Sequence, residues 1–508
     1  MFEFVEDSFE GDDSDESEND VAVEECVRRG SSRANIPLSA FARLPSESHL
    51  PLNATYVAEH LLPLFEYAAS VIPPEYHHST PVKYQATAGM RLVDPDEQIA
   101  VYQALYDGLM ESESFVFTGM QPEDISTLSG ELEGFYGAVA ANYLTGLVDS
   151  RMRMVMASPE VDSESDETAN HSHGPIGALD MGGSSTQIVF LSGNQAIDEA
   201  VRTCPSAQDD ETCHVASATE IPSSLNGEDF FSTSYLAYGV DRFRERVWDT
   251  IVSERLSEDE TSESCASHFI ENPCANKGYQ QEYNGFVLFG TGDTDECIKQ
   301  VRRHIPHPEE THEDHTGLGT KVGGVEHPPI QGKFFAMSLY FFTLDSLRVL
   351  SEPHEDAHKA LNLSWPTPSI EELHDALYGL CSRSWEGDLE DIQHNAHEFT
   401  RPAVLPHRCI ESVYMVTLLK DGFGFHPSSR DITFTFLVDG SEVEWSLGMA
   451  IALNAQELEQ SSMSPHIDAN DTLRSDDLTG EHHRILEPKS AIESLSFTSF
   501  WTSAELSF

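Results

Sequence analysis

Apolar and polar residues recur along this chain with two periods, about two and about 3.6 residues, and the changeovers fall at small-residue turns. KYQATAGMRLV, residues 83–93, reads as a strand, then a turn of Thr87, Ala88 and Gly89, then a helix with Arg91 one step inside. SGELEGFYGAVAANYLTG, residues 129–146, places apolar positions at helical spacing. Ser129 or Gly130 can begin that helix, with Glu131 and Glu133 in its first turn, where the macrodipole favours negative charge. GALDMGGSSTQIVF, residues 177–190, predicts two short apolar strands joined through a Gly-Gly turn. Strands and helices alternate along most of the chain, which predicts an α/β fold with mixed sheets. The richest apolar run, residues 334–350, contains Asp345 and Arg348 and predicts a buried helix. No run of about 20 apolar residues, the length needed to span a bilayer, occurs.

The Gly-Gly turn carries candidate chemistry. Gly182 and Gly183 lack a Cβ, so they can take positive φ and bring backbone N–H groups against an anion, with the hydroxyls of Ser184, Ser185 and Thr186 around them. Asp180, just before the glycines, is placed to hold a divalent cation or its water shell against phosphate oxygens. An ordinary hairpin would also read this way. Glu133, at the mouth of a helix, is a candidate general base, although dipole complementation alone would account for it.

Composition narrows the classes. A chain of 508 residues exceeds the usual limit of one core and predicts two lobes. The net charge of −58, with no stretch basic enough to follow a nucleic-acid backbone, excludes DNA or RNA binding. For a polyanionic substrate it also means that backbone amides and a divalent cation must supply most of the neutralisation. Residues 1–25 hold twelve acids and no base and are expected to be disordered. Eight cysteines, none in a CxxC pair, and sequons at Asn53, Asn170, Asn362 and Asn470 suit an oxidising lumen and a glycoprotein. The His-rich segment 304–315 reads as a solvated loop rather than a metal site.

Taken in order, ATAGMR (residues 86–91), Ser129-Gly130 with Glu133, Gly134, Tyr136 and Gly137, and ALDMGGSSTQ (residues 178–187) resemble the apyrase family, the nucleoside triphosphate diphosphohydrolases. Residues 333–347, Cys381 with Trp385 and Glu386, and residues 408–423 and 442–448 continue the likeness over most of the chain, slightly nearer the Golgi and endomembrane type. The resemblance implies two ribonuclease-H-like, actin-like lobes with a nucleotide cleft between them. Lobe I would comprise residues 26–129 plus a returning segment 431–456, and lobe II residues 130–430. Residues 1–25 would be an acidic tail, residues 457–508 a C-terminal tail of low order, and residues 158–173 and 209–211 acidic insertions.

The resemblance further implies hydrolysis of nucleoside di- or triphosphates with Ca²⁺ or Mg²⁺. Glu133 would be the base, with Ser185 and Gln187 holding the water. Thr87, Ala88, Gly89, Gly182, Gly183, Ser184, Ser185 and Thr186 would bind phosphate. Asp180 would hold the metal through water. Phe341, or its neighbour Tyr340 or Phe342, would stack on the base. Cys274 with Cys297 and Cys381 with Cys409 would be disulfides; Cys204, Cys213 and Cys265 are less clear and Cys26 would be free. The place of action would be the secretory-pathway lumen or outside the cell.

Two departures stand out. The family's first phosphate loop, Asp-x-Gly-Ser-(Ser/Thr)-Gly-(Thr/Ser)-Arg, has no counterpart here, and residues 1–7, MFEFVED, read like the strand that would follow it. A truncated reading frame, its signal peptide or anchor lost with the loop, is the expectation; an inactive nucleotide-binding or scaffolding homologue is the alternative. Ala138 replaces the family's frequent Trp.

Overall fold

The computed structural model describes residues 2–6, 24–28, 36–42, 52–155, 174–192, 223–259, 268–305, 321–352, 361–463 and 500–503. In chain order, β1 (Phe2–Glu6) and β2 (Glu24–Arg28) pair antiparallel. The disorder expected of residues 1–25 therefore gives way to strand at 2–6 and 24–25, held by the β1–β2 backbone pairing; residues 1 and 7–23 lie outside the described set. Next come α1 (Ala54–Val71), β3 (Val82–Ala86), α2 (Ala88–Arg91), α3 (Pro95–Glu111) and β4 (Ile125–Thr127). β3 runs parallel to β4 and, on its other edge, to a strand at Phe500–Ser503. One core fills this first lobe: Leu61 and Phe65 of α1, Tyr84 of β3 and Val101 and Leu105 of α3 are all buried. Asn53 caps α1 by accepting the Tyr56 amide, and Asp94 caps α3 just ahead of Pro95, where proline's fixed φ suits the first helical position.

The second lobe opens with α4 (Gly130–Leu144), β5 (Gly177–Met181), β6 (Ser185–Leu191), β7 (Phe230–Leu236) and α5 (Val240–Asp259). A three-stranded sheet, β8 (Phe269–Asn272), β9 (Gln280–Tyr283) and β10 (Phe286–Gly290), precedes α6 (Thr294–Arg302). β11 (Phe334–Ala336) then leads to α7 (Leu339–Leu350), α8 (Ile370–Cys381), α9 (Arg408–Thr417), β12 (Ile432–Phe434) and α10 (Trp445–Met463). The central sheet has the order β12-β11-β5-β6-β7, parallel through β5 and antiparallel beyond it. Its Leu179, Met181, Ile188 and Phe190 face the main core with Phe243, Leu344 and Leu347; α4 and α10 cover Ala178 and Val189 on the other face.

The segment from 431, expected to return to lobe I, instead begins as an edge strand of this second sheet. Ile432 pairs with Phe334, and Ile432 and Phe434 are buried there because the apolar strand continues the parallel ladder. α10 then packs on α4 and runs to Met463, past the expected boundary at 456. The run 334–350 is the buried helix predicted, preceded by a short strand. Cys274–Cys297 and Cys381–Cys409 are bonded as the resemblance implied. The calls on residues 158–173, 209–211, 306–315, Asn170, Asn470, Cys204, Cys213 and Cys265 fall outside the described residues, as does the tail from 464 to 499.

Candidate active site

A cleft of about 860 Å³ opens between the lobes, with Ser39 and the Thr87–Gly89 turn on one side and Glu133, Asp180 and residues 182–185 on the other. Two close approaches build the second wall. The first is at Gly134, where an added Cβ would lie 2.7 Å from Val189 Cγ2 and 3.2 Å from Gln187 Cβ. Because glycine has no Cβ, the first turn of α4 settles directly on β6, and the preceding Glu133 is carried to the strand ends. Ser129 caps the helix by accepting the Leu132 amide at 3.2 Å, which fixes where that first turn begins.

The second is at Gly239, whose Cβ would meet Ser184 N at 2.2 Å. That contact lets α5 start against the back of the turn. Val240 N–H donates to the Gly182 carbonyl, Asp241 N–H to that of Gly183, and Ala237 N–H to that of Ser184. In a trans peptide the N–H points opposite to the C=O, so three carbonyls drawn backwards aim the amides of Gly183, Ser184 and Ser185 at the cleft. The turn is thus shaped in a different way from the one expected. Neither Gly182 nor Gly183 has positive φ, and a Cβ on Gly182 would meet only Ser185 O, at 3.6 Å. Close approach from behind, not left-handed backbone, shapes it.

Glu133, Ser185 and Gln187 converge as expected. Asp180 lies opposite Gln187 in the β5–β6 ladder, so both face α4. Gln187 Nε2 donates to Glu133 Oε2 at 3.0 Å, to Ser185 Oγ at 2.8 Å and to Ser234 Oγ at 3.0 Å. Gln187 is buried and does not line the cleft; it touches the carboxylate and the serine rather than the space where a water would sit. Arg91, from the first lobe, donates to Glu133 Oε2 at 2.5 Å and to Ser185 Oγ at 3.1 Å. Burial lifts the Glu133 carboxyl to about 7, the Arg91 cation pulling it back and the Asp180 charge adding to the rise. Asp180 is also raised by burial, against hydrogen bonds from the Ser338 hydroxyl and the Met181 amide. Ser338 has φ +52° and ψ −129°, a region that favours glycine, and it lines the cleft while holding Asp180.

Three expected contacts change. Thr186 points to the opposite face of the sheet, where its hydroxyl donates to the Asp180 carbonyl at 2.7 Å and lies 3.0 Å from Tyr340 Oη. Tyr340 is therefore core, and so is Phe341, whose ring packs against Phe436 at 4.8 Å. Phe342 is the aromatic of this block that reaches the cleft, 5.4 Å from Phe399 and 5.5 Å from Phe436, which line it too. Helical geometry decides this, since consecutive residues lie 100° apart around α7. The sequence reading missed Phe399, Phe436, Ser338, Ser234 and Gly239, and nothing in their local pattern marks them out.

Glu133, Asp180, Asp241, Glu411, Glu442 and Glu444 line the cleft against Arg244, Arg401 and Arg408. Arg244 donates to Asp241 at 2.5 Å and Glu411 at 2.8 Å, and Arg408 to Glu411 at 2.8 Å. His407, also lining, is held down to about 3 by burial and by those two cations, so it is neutral. Among the described residues no three His, Cys, Asp or Glu side chains gather as a cage. The Asp180 carboxylate beside the turn at 182–185 instead suits a hard cation that keeps most of its water, as Mg²⁺ does.

Residues 15–466 match the GDA1/CD39 (nucleoside phosphatase) family. The chain belongs to this family. Among the relatives of this nucleoside phosphatase, ectonucleoside triphosphate diphosphohydrolase 1 of Mus musculus is 26% identical over 89% of the chain and 79% of its own length. Golgi apyrase of Saccharomyces cerevisiae is 24% identical over 77% of the chain and 56% of its own length. A solved structure of nucleoside triphosphate hydrolases from Neospora caninum covers 80% of the chain and is covered to 78%, at 16% identity and a TM-score of 0.49. No helix among the described residues is long and apolar enough to cross a membrane.

Proposed function

We propose that this nucleoside phosphatase is an apyrase, removing the terminal phosphate of nucleoside tri- and diphosphates by direct attack of water. The observation that carries the reading is that Glu133 and the turn at 182–185 face one cleft, with Gln187 bonded to both Glu133 and Ser185. Water bound beside Ser185 gives its proton to Glu133 as its oxygen bonds the terminal phosphorus, and the bond from phosphorus to the nucleotide oxygen breaks. Ser185 Oγ accepts from Gln187 and Arg91, so its own proton is free to donate into the cleft. Amides of Gly183, Ser184 and Ser185, facing the Thr87–Gly89 turn, hold the phosphates, and Phe342 with Phe399 offers an aromatic face to a base of any kind. Asp180 would hold Mg²⁺ or Ca²⁺ through water, where the ion would supply charge neutralisation at the phosphate oxygens. The relatives' names favour the secretory pathway or the cell exterior as the place of action.

The test is phosphate release from ATP, ADP, UDP and GDP with Mg²⁺, Ca²⁺ or chelator, in wild type and Glu133→Gln. The substitution is expected to lower kcat by about 10²- to 10⁴-fold while nucleotide binding persists. Binding without turnover in the wild type would instead support a scaffolding homologue.

A further inference from the structure

Arg91 is not among the residues that line the cleft, yet its guanidinium contacts both the base and the serine beside it. It ends α2, the single turn anchored in the first-lobe core through Met90, while Glu133 and Ser185 belong to the second lobe. Its surroundings do not favour a cation for stability's sake. Nη1 and Nε are buried without a hydrogen-bond partner, which carries the desolvation penalty of each N–H. The group is also pressed on the first turn of α4, where a Cβ on Gly130 would lie 2.4 Å from Nη1, and a helix N-terminus repels positive charge. What compensates is the carboxylate of Glu133.

The groups facing that carboxylate are Arg91 from α2, Asp180 from β5 and the neutral Gln187 from β6. Of these Arg91 is the one cation, and its charge favours the form that can accept a proton, with the Gln187 amide donating to the same oxygen; burial and Asp180 oppose it. We infer that Arg91 is a positioning residue that reaches from the first lobe into the second and holds the Glu133 carboxylate and the Ser185 hydroxyl in one working geometry. This rests on Glu133 being the base. It also makes the base complete only when α2 and α4 are apposed, so lobe position and proton acceptance are joined through one side chain.

The experiment compares wild type, Glu133→Gln, Arg91→Met, Arg91→Ala and Arg91→Lys by steady-state phosphate release from ATP with Mg²⁺ across pH, with circular dichroism melts on each. An active wild type and a dead Glu133→Gln establish the base; equal rates in those two would overturn the base and this inference together. With the base established, Arg91→Met is expected to lose roughly 10- to 100-fold in kcat with little change in KM, the scale of a base displaced by about 1 Å. Its acid limb should move to higher pH, because the cation that opposes protonation is gone. Arg91→Lys should recover part of the rate, and millimolar guanidinium should partly restore Arg91→Ala. A folded Arg91→Met with wild-type kcat and acid limb would overturn the proposal, as would a rate loss that only tracks the melted fraction. Should the Met and Ala variants not fold, Arg91→Lys decides, since it keeps the cation but not the forked guanidinium: a lowered kcat with KM and melt unchanged supports the inference, and a wild-type kcat overturns it.

Discussion

Glu133 is the residue on which acid sensitivity turns. A carboxyl lifted by burial to about 7 is protonated below that value and cannot take a proton from water, so kcat/KM should fall about tenfold per unit as pH drops below about 7. A profile flat from pH 5 to 8 would contradict this. That an acid directly before glycine sits at a helix start could be read from the segment 129–146. That it would be buried, and opposed in charge by Arg91, could not, because Arg91 is 42 residues away in sequence. The aromatic platform behaves likewise: residues 340–342 are legible as an aromatic block, but only the rotation of α7 in its packed position sends Phe342 to the cleft and Phe341 to the core. Phe342→Ala should therefore raise KM for nucleotides by roughly tenfold or more, the loss of one base-stacking face of about 1–3 kcal/mol. Equal KM values in Phe342→Ala and wild type would remove it from the site.

At the scale of elements, two glycines let helices approach closely enough to matter. Gly239→Ala puts a methyl at 2.2 Å from Ser184 N, so α5 must retreat and the carbonyls of residues 182–184 lose their N-terminal donors. Phosphate release should fall by about 10²-fold, the usual cost of a displaced catalytic constellation, with the fold retained by circular dichroism. Gly448, inside the block EVEWSLG, tests packing instead. Its Cβ would lie 1.8 Å from the Tyr136 carbonyl oxygen, so Gly448→Ala should separate α10 from α4 and destabilise the fold by about 1–3 kcal/mol, read from a thermal melt. Of these helices, α4 was legible from the period of residues 129–146. The close contacts at both glycines were not, since each glycine's partner lies far along the chain.

For the whole molecule, charge is the governing quantity. A net charge of −58 and six acids around the cleft, with Arg244 and Arg408 already paired to Asp241 and Glu411, leave little free positive charge for a polyphosphate. Chelation should abolish phosphate release, and added Mg²⁺ or Ca²⁺ should restore it; turnover unaffected by chelator would contradict the metal's part. The α/β class and the Gly-Gly turn between short strands follow from residues close together in sequence, and the family follows from motifs in order, whose resemblance implied the two bonded disulfides.

Local pattern suffices for these because hydrogen-bond period, turn chemistry and motif order are properties of neighbouring residues. Tertiary structure alone decided which strand received Ile432–Phe434, which face Thr186 took, which aromatic met the cleft and that Arg91 met Glu133. Each of those depends on distances between segments brought together only by packing, and sequence spacing carries no record of such distances.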